Sequence, residues 1–189
     1  MKKWSEIRQG IINKLFMDEQ EVNSEDENYA SKFAFFANEC LNQIANSVKP
    51  RIAVFEVETT KEHEEVTMPE DFLSFADMVN YVNNEADPTL VYLGDKRLML
   101  PVVGSYKIFY NATWAPITED YMNDQEQPDL PIDQSVLNCI PSYVAAQILA
   151  EDDVQRSTIL KNEYELMLSR LDTNIMYQEN HFKSTGGWY

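Results

Sequence analysis

Residues able to act as acids, bases, nucleophiles or metal ligands are few here, and they are scattered. The two histidines are His63, inside the charged stretch KEHEE, and His181, near the C-terminal end. The two cysteines, Cys40 and Cys139, both fall on apolar helical faces. A Cys–His pair needs a thiol that can ionise, and thiols on core faces are held neutral. They read instead as buried thiols of a reducing compartment. Two distant cysteines and two distant histidines do not make a zinc site. The glycines at 10, 94, 104, 186 and 187 match neither phosphate-binding fingerprint.

Acid clusters are the remaining chemical possibility. Glu62, Glu64 and Glu65 flank His63, and Glu70 adjoins Asp71. Such groups could hold a hard cation and support a metal-dependent hydrolase. In a chain so rich in acids, such clusters are expected by chance, and solvated turns are the favoured reading. Asn111-Ala112-Thr113 fits a glycosylation sequon, which means little without a secretion signal. The expectation is a protein with no catalytic residues, no metal and no cofactor.

Charge narrows the partners. The chain of 189 residues carries 32 Asp and Glu against 15 Lys and Arg, a net charge of −17. Gripping a phosphate backbone takes clustered basic residues, so nucleic acid is repelled rather than bound. A hydrophobic fraction of 44% supports a packed core. MKKWSEIRQG leads into charge rather than an apolar core, and no apolar run approaches the ~20 residues that span a bilayer. A soluble, intracellular protein without a membrane partner is expected.

Periodicity then organises the chain. Trp4, Ile7, Ile11 and Leu15 recur at steps of three and four, predicting a helix over 4–18 that Gly10 weakens. Ser24 and Glu27 have capping-box spacing ahead of a second, longer helix. Its stripe includes Phe33, Phe36, Ala37, Cys40, Leu41, Ile44 and Ala45, and Pro50 ends it. From Arg51 the period becomes two: Ala53, Phe55 and Val57 oppose Glu56 and Glu58. EDFLSFADMVNYV suits either a strand or a helix. TLVYLGDKRLML predicts a hairpin turning at Gly94-Asp95, and Tyr106, Ile108 and Tyr110 alternate against Lys107, Phe109 and Asn111.

Residues 51–115 are therefore expected to be a small antiparallel β insertion, followed by a polar crossover over 116–133. Asp133 can cap a third helix with Val136, Leu137, Ile140, Tyr143, Val144, Gln147 and Ile148 on its core face. Gln147, like Asn42, is expected to be buried in a core hydrogen bond. Pro141 falls inside that helix and should bend it. Asp152 or Asp153 can cap a fourth helix with Leu160, Tyr164, Met167, Leu168 and Leu171 along one stripe. After Leu171 the period fades, yet Tyr177, Phe182, Trp188 and Tyr189 make the end aromatic. Frayed ends are common, but an aromatic one suits docking.

In this order the segments resemble the head–tail connector (adaptor, or head-completion) proteins of tailed bacteriophages. The resemblance runs over residues 4–171: WSEIRQGIINKL, FFANECLNQIANSVKP, EVTMPEDFLSF, KIFYNATWAPIT, and above all LPIDQSVLNCIPSYVAAQILAEDDVQRSTILKNEYELMLSRL. It implies a mainly α fold with a β insertion: a four-helix core bundle, a small antiparallel β unit and an extended C-terminal tail. Residues 1–50 would supply the first helices, 51–115 the insertion, 116–173 the crossover and final helical hairpin, and 174–189 the docking tail.

The resemblance further implies a structural virion protein at the neck, assembled in the host cytoplasm. Copies form a ring, usually twelvefold, that joins the portal protein to the stopper or tail and extends the DNA exit channel. DNA passes its lumen without specific binding. Met176, Tyr177, His181, Phe182, Trp188 and Tyr189 would dock on the portal. A tail-completion or terminator ring protein, a hydrolase using the acid clusters, and a host-directed binding module are the alternatives.

Overall fold

The computed structural model describes residues 2–15, 27–76, 78, 80–86, 90–122 and 128–179. The chain divides into two units: a helical one from residues 1–49 and 115–189, and a β unit from Pro50–Trp114. This corrects the expected mainly α four-helix bundle. The stretch between the helices is no decoration, because it builds two antiparallel sheets around a hydrophobic core of its own.

In the helical unit, α1 (Trp4–Leu15) buries Trp4, Ile7, Ile11 and Leu15, the spacing its sequence predicts. The expected continuation to residue 18 lies outside the described residues, as does Ser24 of the capping box. Helix α2 (Glu27–Ser47) buries Phe33, Ala37, Cys40, Leu41, Ile44 and Ala45 on one stripe. After the β unit come two one-turn helices, α3 (Glu119–Met122) and α4 (Gln134–Leu137), then α5 (Ile140–Ile148) and α6 (Val154–Glu179). Helix α5 packs against α1, α2 and α6.

Where one bent helix was expected after Asp133, the chain makes two. Asp133 caps α4, accepting from the Ser135 amide at 2.8 Å, and the helix stops at Leu137. Pro141 stands in the first turn of α5, where the missing N–H has no helical partner to lose. Gly10 explains itself in the same place. A Cβ there would lie 3.2 Å from Cγ of Pro141, so the glycine lets α1 approach α5 closely. Gln147 and Asn42 are exposed, contrary to expectation. Asp153, rather than Asp152, caps α6 by accepting from the Arg156 amide at 3.0 Å.

Side chains close the joints of this unit. The Arg156 guanidinium donates to the Lys14 and Leu15 carbonyls at 3.0 Å each, satisfying two acceptors at the end of α1. Asn38 holds the chain returning from the β unit: it accepts from the Ile117 amide at 2.8 Å and donates to the Ile117 carbonyl at 3.1 Å.

The β unit is organised by its last strand, β8 (Gly104–Ala112). Strand β1 (Arg51–Thr59) pairs with it antiparallel over all nine residues, from Arg51 opposite Ala112 to Thr59 opposite Gly104. On its other side lie β3 (Phe72–Phe75) and β4 (Tyr81–Val82), the latter joined to β5 (Glu85–Ala86). The ambiguous EDFLSFADMVNYV segment thus supplies strands. A second sheet has the order β2 (Glu64–Thr67), β7 (Arg97–Leu100), β6 (Val91–Gly94). Gly94 and Asp95 have positive φ as expected, but so does Lys96, and Gly94 pairs with Arg97. The two-residue turn is therefore Asp95-Lys96, the mirror-image form that suits a hairpin.

Tyr106, Ile108, Tyr110 and Ala112 of β8 meet Leu98 and Leu100 of β7 in the core. The Tyr106 hydroxyl donates to the Val102 carbonyl at 2.8 Å and accepts from its amide at 3.0 Å.

Two predictions follow from these joints. Gly10→Leu overpacks the α1–α5 contact and should lower stability by about 1–3 kcal/mol in urea denaturation. Asp133→Ala removes a cap and should cost about 0.5–2 kcal/mol at neutral pH. Lys49, 2.7 Å away, and Ser135 hold the Asp133 carboxyl at about 2, below its ordinary 3.8. A lowered carboxylate value stabilises the folded chain above the ordinary value and loses that stabilisation as pH falls through about 2. The deficit of Asp133→Ala should therefore shrink when the urea series is repeated in acid.

Candidate interaction surfaces

Three carboxylates of the acid clusters, those of Asp71, Glu64 and Glu65, make structural bonds. Asp71 receives the Arg51 guanidinium, and its Oδ1 accepts from the Tyr110 hydroxyl at 3.0 Å, tying β1, β8 and the approach to β3 together. Burial, together with this carboxylate, raises the Tyr110 pKa. Glu64 closes the turn between β1 and β2, accepting from the Thr60 amide at 2.9 Å and the Lys61 amide at 3.3 Å. The Thr60 contact is the main reason its carboxyl titrates low. Glu65 faces Arg97 at 3.5 Å, and the Glu70 carbonyl receives the Lys96 ammonium. Among the described residues, no three His, Cys, Asp or Glu side chains converge on a metal position.

Both thiols are buried in the helical unit, which also carries a groove. Gln43 of α2, Tyr143 and Gln147 of α5, and Lys161, Tyr164 and Leu168 of α6 line a space of about 410 Å³. Its floor is aromatic: Tyr143 and Tyr164 meet edge to face at 5.0 Å, and the Tyr164 hydroxyl donates to Oε1 of Gln43 at 3.3 Å. Burial pushes Cys40 far above the ordinary thiol range, with a Tyr164 hydrogen bond working weakly against it. Burial also lifts Cys139 to about 11 and raises Tyr143 and Tyr164. Burial thus favours the neutral form of both thiols and both phenols.

Helix α6 presents a second surface. Leu160, Tyr164 and Leu171 are buried, with Met167 and Leu168 half-buried beside them, as their spacing predicts. Off this stripe, Ile159 and Leu166 are 60% and 54% exposed. Seven residues apart, they share one face. Val154 on α6 and Phe35 on α2 are also exposed. In the β unit, Ile52 and Val54 on β1 and Val91, Tyr92 and Leu93 on β6 point apolar surface outward.

Sequence reasoning missed these residues because each run was fitted to a single face. Apolar positions falling off the stripe, such as Ile159 or Ile52, were the signal. Of the expected docking residues, Met176 and Tyr177 stand on α6, which continues to Glu179, so the segment from 174 does not begin extended. Their side chains, and His181, Phe182, Trp188 and Tyr189, lie outside the described residues. Among the described residues no helix is long and apolar enough to cross a membrane. In comparisons with known proteins, no family model and no curated protein matches the chain.

Thiol burial is directly testable. Cys40 and Cys139 should resist Ellman's reagent in the native chain and react fully in denaturant. Rapid reaction of either thiol under native conditions would contradict the packing of α2 against α5.

Proposed function

We propose that the chain is a structural subunit of a bacteriophage neck, forming a ring that joins the portal to the stopper or tail. The observation that carries this is the outward apolar face of α6. Ile159 and Leu166 expose hydrocarbon on the element that leads into the aromatic C-terminal segment. Exposed apolar sets of this kind mark contacts with other proteins.

Three further features support the proposal. Each acid cluster makes local structural bonds, which suits a scaffold better than a hydrolase. The net charge of −17 gives a surface that DNA slides past without sticking. The order of segments resembles connector proteins across residues 4–171.

In this role the helical unit is the rigid base, and α6 carries the docking residues Met176, Tyr177, His181, Phe182, Trp188 and Tyr189 towards the portal. A single short tail binds weakly, because ordering its backbone offsets most of the gain from burying an aromatic ring. Many tails arranged on a ring bind together and gain strength by avidity.

Native mass spectrometry of the full chain and of a truncation after Asn174, each mixed with the portal protein of the same phage, tests this role. The full chain should give a complex with several copies per portal ring, and the truncation should give none. Equal binding by both forms would remove the docking role of the tail. Binding by neither would remove the connector role itself.

A further inference from the structure

Strand β1 is an edge strand among the described residues, and its first half carries an apolar run typical of an interior strand. It pairs with β8 along its full length without a register shift, and among the described residues no strand pairs with its other edge. The run Ile52-Ala53-Val54-Phe55 is apolar on both faces. Ile52 and Val54 are 59% and 47% exposed on the outer face, while Ala53 and Phe55 are only partly buried on the inner one. Continuous apolar runs belong to strands covered on both sides. Long, regular apolar edges are ordinarily blunted by a lysine, a proline, a bulge or shortness. Arg51 at the start of β1 is engaged by Asp71, and beyond the apolar run charge returns at Glu56 and Glu58.

The other edge strands of the unit are blunted. Strand β5 has two residues, and β2 opens with Glu64 and Glu65. Strands β3 and β6 have four residues each, and both carry a register shift. Within this chain, the long apolar edge of β1 finds its best match in itself.

We propose that the first half of β1 docks a second copy of this chain, pairing antiparallel with its own counterpart across a two-fold axis at Ala53. The side chains select this register. Residues directly opposite each other in an antiparallel pair point to the same face. With the axis at Ala53, Ile52 faces the partner's Val54 and Val54 faces the partner's Ile52. Glu56 and Glu58 then lie beyond this apolar quartet. Moving the axis to Val54 sets Ile52 against the partner's Glu56. Moving it to Phe55 sets both Ile52 and Val54 against carboxylates.

Such a pair closes on itself and does not propagate around a cyclic ring. It is therefore a state of the free subunit, and it stands or falls independently of the neck role. Each copy carries −17, so salt that screens the mutual repulsion should tighten the pair.

Cysteine cross-linking of the full chain tests the register. The native thiols are buried and stay out of the reaction. Opposed Cα atoms in an antiparallel pair lie about 4.5–5.5 Å apart, within the reach of a disulfide. Under mild oxidation Ala53→Cys should cross-link on the order of a hundredfold faster than Glu58→Cys, because a held pair has an effective concentration near millimolar. Val54→Lys should sediment as a monomer with an unchanged circular dichroism spectrum. If that variant fails to fold, the cross-linking comparison still decides. Equal rates for the two cysteine variants, or a wild-type chain that stays monomeric at every concentration and salt, would overturn the proposal.

Discussion

Helix α5 is the constraint on which the helical unit depends. It is short, yet it touches α1, α2 and α6, so both ends of the chain meet on it. Val144 and Ala145 are fully buried there, and Cγ of Pro141 at its start stands 3.2 Å from where a Cβ on Gly10 would lie, closer than an ordinary contact. A helix assembled this way cannot be completed by either end alone. The β unit must leave after Lys49 and return at Ala115 without disturbing it. Asn38 secures the return by holding both backbone groups of Ile117, as another peptide would.

The β unit answers to a different rule. Its core is formed by alternate residues of β8 against β7, and that core lies within residues 50–114. Because β8 is paired on both sides, it serves as the spine of its sheet, and β1 is left as an edge. The acids that could suggest a metal site act here as fasteners: Asp71 ties Arg51 to Tyr110, and Glu64 closes a turn. Apolar residues on α6, α2, β1 and β6 remain outward in a chain of net charge −17.

Much of the local structure was legible in the sequence because it rests on local physics. The stripe Trp4-Ile7-Ile11-Leu15, the alternation Tyr106-Ile108-Tyr110 and the cap at Asp133 all follow from period and hydrogen-bond chemistry within a few residues. The break at Pro141 was not legible. The apolar period runs through it unchanged, and only tertiary packing decides whether proline bends one helix or begins another. Strands β3 and β4 take their identity from distant β8, so their own residues left them ambiguous. Gln147 sat on a core stripe by count yet is exposed, because the groove between α5 and α6 opens beside it. The weight of the β unit was underestimated for a similar reason: its core depends on pairings between residues far apart in sequence. The aromatic end after Glu179 lies outside the described residues, and its docking role is an expectation from composition and resemblance.

The neck role proposed above places the chain at the single vertex where a phage capsid meets its tail. Immunogold labelling of the phage particles that carry it, with antibody raised against the β unit, tests that place most directly. Gold confined to the neck, one cluster per particle, is the predicted result. Gold spread over the capsid or along the tail, or particles that carry none of the protein, would contradict it.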